Sequence, residues 1–240
     1  MSYITKPGGE YAGMHYLEFD TLAERTSFID YAINDPEGLP VAREASGNMF
    51  VTPYNDIHDE GKCYMFSRWE NEEAWDTYTQ HRRAISSPQL LPYMQREQDL
   101  RLRELDCSPT KNTTQGHFYG APTGSVCNIH IFQFDNIDLR DAVNKFWHTE
   151  EGLLLTAAYP GNVIVSAFEA IERENMLVVA SAWESRESFF DYLQMRRDTG
   201  PTLLQPFLVD QVLERKPIEL RTIAQATLAD PDPRGSDIKQ

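Results

Sequence analysis

Hydrophobic and polar residues alternate over Gly13 to Asp20 and again over Val126 to Asp135, the two-residue period of a strand with one buried face. Each stretch is followed by apolar residues at helical spacing: Phe28, Ile29 and Ala32 within Leu22 to Ile33, and Val143, Phe146 and Trp147 within Ile137 to His148. Glu37-Gly38-Leu39 and Glu151-Gly152-Leu153 predict the ends of those helices, with glycine as the C-terminal stop. Two strands then recur, Asn48 to Tyr54 with Lys62 to Trp69, and Asn162 to Glu169 with Met176 to Trp183, joined by polar hairpin loops. A second helix starts after Trp69 or Trp183, with Asn71 and Ser185 as N-caps and acids in the first turn. The last strand spans about Asp99 to Leu105 in one half and Val209 to Arg215 in the other. That order, βαββαβ written twice, is the split-βαβ ferredoxin-like unit.

The two halves match in residues as well as in pattern. Met14-His15-Tyr16-Leu17-Glu18-Phe19-Asp20 corresponds to Ile129-His130-Ile131-Phe132-Gln133-Phe134-Asp135, 115 residues on. Gly47-Asn48-Met49-Phe50-Val51 corresponds to Gly161-Asn162-Val163-Ile164-Val165 at an offset of 114, as Trp69-Glu70-Asn71-Glu72-Glu73-Ala74-Trp75 does to Trp183-Glu184-Ser185-Arg186-Glu187-Ser188-Phe189. So constant an offset means a duplicated domain. The expected organisation is a first unit over 1–107, a linker over 108–124 in which Ser108 to Gly116 is polar and proline-bearing, a second unit over 125–216, and a C-terminal tail over 217–240. A single ferredoxin-like sheet covers only one face with its helices. The expected fold is therefore α+β, two tandem units packed sheet to sheet as an intrachain dimeric barrel.

Composition narrows the function classes. The formal charge of −15 opposes binding to phosphate backbones and anionic lipid surfaces, so neither nucleic acid nor membrane is an expected partner. No apolar run is long enough to cross a bilayer, and the first residues lack the apolar core of a signal peptide, which together predict a cytoplasmic protein. Cys63, Cys107 and Cys127 form no CxxC pair, as expected of free thiols in a reducing compartment, and no Cys/His cluster has zinc-ligand spacing. Nucleotide-binding glycine motifs and Ser/His/Asp signatures are missing too.

The Gly-Asn-x-x-Val strands and the two Trp-Glu-Asn/Ser-x-Glu hinges resemble the antibiotic-biosynthesis-monooxygenase (ABM) family of the dimeric α+β barrel superfamily, across about Gly13 to Leu105 and Val126 to Arg215. The resemblance implies an oxidoreductase, a monooxygenase acting with O₂ on a small aromatic substrate; that superfamily also holds heme-degrading enzymes, isomerases and members of no known activity. Most ABM proteins are single-unit homodimers, so a fused form lets the two halves diverge, and pairing of the fused unit into a homo-oligomer stays open. The usual heme ligation of the heme-degrading relatives has no counterpart here: where they carry an axial histidine, the chain reads Ser87-Pro88-Gln89 and Pro201-Thr202-Leu203.

Several residues are candidates for chemistry. His15 and His130 hold equivalent points of the first strand, where an imidazole could take a proton from a phenol or quinol; the alternative is a hydrogen-bonded core histidine. Tyr78 and Tyr192, on the second helix, could orient a substrate oxygen or simply fill the helix–sheet boundary. Arg82 and Arg196 lie one turn further on and could hold an oxyanion or merely complement the helix dipole. Trp75, His81 and Trp147 break the repeat, standing against Phe189, Met195 and Ala32, and are where two substrate sites would differ. Trp69 and Trp183 read as structural. The leading expectation is a cofactor-independent ABM-like oxygenase with His15 or His130 as base and Tyr78, Tyr192, Arg82, Arg196, His81 and Trp75 around the substrate. A heme protein with atypical ligation and a non-catalytic ligand-binding barrel are the alternatives.

Overall fold

The computed structural model describes residues 3–5, 11–85, 98–111, 126–199 and 212–222. In chain order these form β1 (Tyr3–Thr5), β2 (Tyr11–Glu18), α1 (Leu22–Asn34), α2 (Leu39–Glu44), β3 (Asn48–Asp56), β4 (Lys62–Trp69), α3 (Glu72–Ile85), β5 (Gln98–Glu104) and β6 (Pro109–Lys111). They continue with β7 (Val126–Phe134), α4 (Ile137–Trp147), a π-helical turn (Glu150–Leu154), α5 (Leu155–Ala158), β8 (Asn162–Ala170), β9 (Met176–Trp183), α6 (Arg186–Thr199) and β10 (Val212–Thr222). The class is α+β, as expected. The described residues divide into two compact units: a first of 11–85, 98–102 and 220–222, and a second of 3–5, 103–111, 126–199 and 212–219.

In the first unit β4 is central, antiparallel to β2 on one side and β3 on the other, with Gly13 opposite Ser67 and His15 opposite Met65. In the second, β9 lies between β7 and β8, with Asn128 opposite Ser181 and His130 opposite Val179. Alternation along a strand puts one set of side chains under the helices. Leu17, Phe28, Ile29, Ala32, Leu39 and Val51 form that core in the first unit. Phe132, Phe134, Leu139, Val143, Trp147 and Leu177 do so in the second. Burying each such side chain contributes about 1.5–3 kcal/mol.

The caps follow local chemistry. Thr21 accepts from the Glu24 N–H at 3.1 Å while Glu24 Oε2 accepts from the Asp20 N–H at 3.2 Å, a reciprocal pair at the start of α1. Asn136 accepts from the Leu139 N–H at 2.9 Å to start α4. The expected caps of the second helices are present: Asn71 accepts from the Ala74 N–H at 2.9 Å and Ser185 from the Ser188 N–H at 3.1 Å.

Three expectations are corrected. Gly38 and Gly152 are not left-handed helix stops: both have φ −81°, α1 and α4 end earlier at Asn34 and Trp147, and each glycine leads into a further short helical segment. The expected linker begins as ordered structure. Ser108 is fully buried, its hydroxyl donating to the Ala167 carbonyl at 3.1 Å and accepting from the Ala167 N–H at 2.9 Å, and Pro109–Lys111 pairs with Tyr3–Thr5. A serine hydroxyl can stand in for both backbone groups, so a polar sequence here does not mean a loose one. The last strand runs on to Thr222 rather than ending at Arg215, with Leu220, Arg221 and Thr222 opposite Asp56, Asn55 and Tyr54. Pro217 lies within this strand, and proline is compatible with a strand wherever its nitrogen owes no ladder bond. Residues 209–211 of that expected strand lie outside the described residues, as do the Ser87-Pro88-Gln89 and Pro201-Thr202-Leu203 stretches and the tail from 223.

Candidate functional site

The tryptophans shared by the two halves are anchors. Trp69 and Trp183 are fully buried, and each indole N–H donates to the serine two residues back, Ser67 Oγ at 3.0 Å and Ser181 Oγ at 2.9 Å. This closes β4 and β9 in the same way in each unit and turns the chain into the helix that carries the variable aromatic residue, Trp75 or Phe189.

In the first unit Trp75 is 3% exposed and lies on the strand beneath it. Its indole stacks on His15 with ring centres 5.1 Å apart and planes 21° apart, and stands 5.8 Å from Tyr11 and 5.7 Å from Trp69. Gly13 makes this approach feasible, because a Cβ there would sit 2.4 Å from Trp75 Cη2. Tyr78 stacks on Trp69 at 4.8 Å. His15, Trp75 and Tyr78 are thus gathered into one aromatic cluster. Arg82 is half-buried on α3, and His81 is exposed and stays out of the cluster.

The second unit uses the same positions differently. His130 is 9% exposed, with ring centres 6.1 Å from Phe132 and 6.2 Å from Phe189. The Gly13 position is held by Asn128, which is 1% exposed, and neither its Oδ1 nor its Nδ2 has a hydrogen-bond partner. Tyr192 packs on Trp183 at 4.9 Å, and its hydroxyl shares a 2.7 Å hydrogen bond with Thr156 Oγ1. Arg196 donates from Nε to the Tyr192 hydroxyl at 2.9 Å, from Nη1 to the Glu151 carbonyl at 2.6 Å, and from Nη2 to the Gly152 carbonyl at 2.7 Å and Thr156 Oγ1 at 3.1 Å. The guanidinium fork therefore satisfies carbonyls left open by the π-helical turn, and it holds the Tyr192 phenol in place.

With this geometry the comparisons with known proteins become informative. A candidate monooxygenase from Lactobacillus acidophilus NCFM superposes with a TM-score of 0.58 at 15% identity, covering 91% of this chain and 96% of its own. An anthrone oxidase-like protein gives a TM-score of 0.62 at 12% identity, covering 95% of this chain and 98% of that one. The chain shares the fold of these proteins. A chlorite dismutase from Candidatus Nitrospira defluvii shares it, with a TM-score of 0.53 at 9% identity over 90% of this chain and 92% of that one. No family model and no curated protein matches the chain.

Within this fold, sequence reasoning missed Asn128 and Gly13. The signal was present: at the 115-residue offset of the first strands, Gly13 faces Asn128, as Trp75 faces Phe189 six residues beyond each tryptophan. Thr156 was also missed, and it stands opposite Ala42 in the first half. Among the described residues no group of three or more His, Cys, Asp or Glu side chains converges as metal ligands would, and no helix is long and apolar enough to cross a membrane.

Proposed function

We propose that the protein is an oxygenase that uses neither metal nor flavin and oxidises an electron-rich aromatic of the anthrone or quinol type with O₂. The observation that carries this reading is the histidine on the helix-facing side of the first strand in each unit, set against aromatic rings, Trp75 for His15 and Phe132 and Phe189 for His130. An imidazole there takes a proton from the acidic methylene or phenol of the substrate. The resulting carbanion or phenolate passes electrons to O₂. For an anthrone, the methylene becomes a carbonyl, one oxygen atom enters the product and the other leaves as water. Aromatic walls exclude water and so raise the energy of the substrate anion relative to its oxidation. The fold likeness to an anthrone oxidase-like protein supports the same substrate class.

A second reading, a heme protein, draws on the fold likeness to a chlorite dismutase. The residues fit it poorly: His130 is 9% exposed with Phe132 and Phe189 beside it, and His15 is stacked on Trp75, so a porphyrin would have to displace those rings to bring its iron to an imidazole nitrogen.

Oxygen uptake with anthrones and quinols tests the first reading. The wild type is expected to consume O₂ and the His15→Ala/His130→Ala double variant to lose that consumption; unchanged turnover overturns the proposal. A hemin titration tests the second, and a saturable, shifted Soret band at one equivalent would establish it.

A further inference from the structure

We infer that ligand recognition belongs to the second unit alone, where the Asn128 amide is the hydrogen-bonding contact for a carbonyl or phenolic oxygen of a planar aromatic ligand. In the first unit, Trp75 occupies the corresponding place with a ring from the protein itself. The substrate class rests on the reading above; the assignment of Asn128 does not.

The argument begins from what a buried amide requires. Asn128 has one acceptor and two donor hydrogens, and it is 1% exposed with no hydrogen-bond partner at either atom. Native interiors rarely leave such a group unmatched, because its desolvation is uncompensated, and the exceptions concentrate where function demands them. The neighbours on the same strand show which way it faces. Phe132 and Phe134, two and three steps along the same alternation, pack against α4, and His130 touches Phe189 of α6. Asn128 therefore shares the helix-facing side of β7 with the proposed base.

The first unit shows what the fold does at this place without a ligand contact. Glycine replaces asparagine and tryptophan replaces phenylalanine, and the indole lies so close over Gly13 that a Cβ would meet it at 2.4 Å. The large ring and the small strand residue are one coupled choice. The second unit makes the opposite one: a smaller ring, and a strand residue whose only evident advantage is its hydrogen-bonding capacity. An apolar residue would be better accommodated there if packing alone mattered. Asn128 can donate to a ligand carbonyl and accept from a ligand hydroxyl, the two oxygen types of an anthrone and its quinone.

The test uses the full chain and 1,8-dihydroxyanthraquinone, a product-like probe, followed by its visible spectrum and by tryptophan quenching. One equivalent should bind the wild type; Asn128→Leu and the smaller Asn128→Ala should each weaken binding at least tenfold, whereas Tyr11→Phe, beside Trp75 in the first unit, should not. Relieved of an unmatched amide, Asn128→Leu should also melt roughly 2–4 °C higher than the wild type. Wild-type affinity in both Asn128 variants, or loss of binding only in Tyr11→Phe, overturns the inference while leaving the oxygenase reading intact. If the wild type binds no probe and oxidises no anthrone, the substrate reading fails and stability alone decides Asn128. A higher melting temperature for Asn128→Leu then sustains an amide kept for a ligand, and a lower one shows that the protein itself holds it and overturns the inference.

Discussion

Trp75 and Gly13 are fitted to each other: the indole crosses the strand where the side chain is missing, and a Cβ at residue 13 would lie 2.4 Å from Cη2 and 2.5 Å from Cζ3. Gly13→Ala should therefore destabilise the protein by about 1–3 kcal/mol through overpacking. Trp75→Phe alone should be destabilising as well, since it removes part of a buried ring. Together the two changes should cost less than their sum, and Gly13→Asn with Trp75→Phe, which copies the Asn128/Phe189 pair, should fold. Urea unfolding of the double-mutant cycle measures the coupling, and simple additivity would show that the two residues do not share one space.

The Arg196 fork joins α6 to the π-helical turn through two hydrogen bonds, to the Glu151 and Gly152 carbonyls, and to α5 through a third, to Thr156 Oγ1, while a fourth holds Tyr192 of α6 itself. Arg196→Ala should lower stability by about 2–3 kcal/mol, the scale of a lost charge-assisted hydrogen bond with carbonyls left unmatched. Arg196→Lys should recover little, because an ammonium cannot reproduce the planar arrangement of donors. If thermal unfolding places Arg196→Lys at the wild-type value, the fork geometry is not what matters.

These relationships mark where sequence reasoning succeeded and where it stopped. Strand alternation and helical spacing identified both βαββα cores, because each half repeats a simple apolar period and its caps, Asn71 and Ser185, are local. What resisted reading was set by close tertiary approach. Gly38 looked like a helix stop, but the chain there enters another short helix. Ser108 looked like linker, but its hydroxyl replaces two backbone partners of Ala167. At the site, the repeat singled out His15 and His130, which lie on the helix-facing side of the first strand, and the variable Trp75, which stacks on His15. Asn128 stayed hidden because an asparagine in a strand carries no sign of burial until its neighbours are placed around it. His81, chosen for its chemistry, is exposed.

Gly47 and Gly161 are the described residues with left-handed backbone, at φ +77° and +80°. Each presents its carbonyl to the residue after the anchoring tryptophan, Glu70 N–H at 2.9 Å and Glu184 N–H at 2.8 Å. An added Cβ would also strike the following helix, at Ala74 Cβ and at Ser188 Cβ, both 2.5 Å away. Gly161→Ala should cost at least about 2 kcal/mol, from backbone strain and the clash together. Gly61→Ala is the control: its Cβ would meet neighbours at no closer than 3.2 Å, so its cost should be well below that of Gly161→Ala. Equal midpoints in chemical denaturation would remove the case for these two turns as fixed pivots.

Stability should fall at alkaline pH, because burial favours the neutral forms of Cys63, Cys107 and Tyr64. Burial pushes the Cys63 thiol up from 9.0 to about 12, and burial followed by the nearby Asp106 does the same to Cys107. The Tyr64 phenol is raised first by burial, then by Asp56, Tyr16 and Asp59. An acid whose pKa is higher folded than unfolded keeps its full stabilising effect below the unfolded value. Above pH 9 the unfolded chain loses thiol protons that the folded chain retains, so stability must fall from about pH 9 towards pH 12. Each unit of separation is worth about 1.4 kcal/mol per group. Urea midpoints measured between pH 8 and pH 11 should therefore decline, and Cys63→Ala should flatten the decline while lowering the starting value through its cavity. At pH 8 the native protein should resist thiol reagents at Cys63, Cys107 and Cys127, all buried, and expose all three in denaturant. Rapid labelling of Cys63 in the native state would mean that the first unit opens locally, and the alkaline decline would then report that opening rather than the global transition.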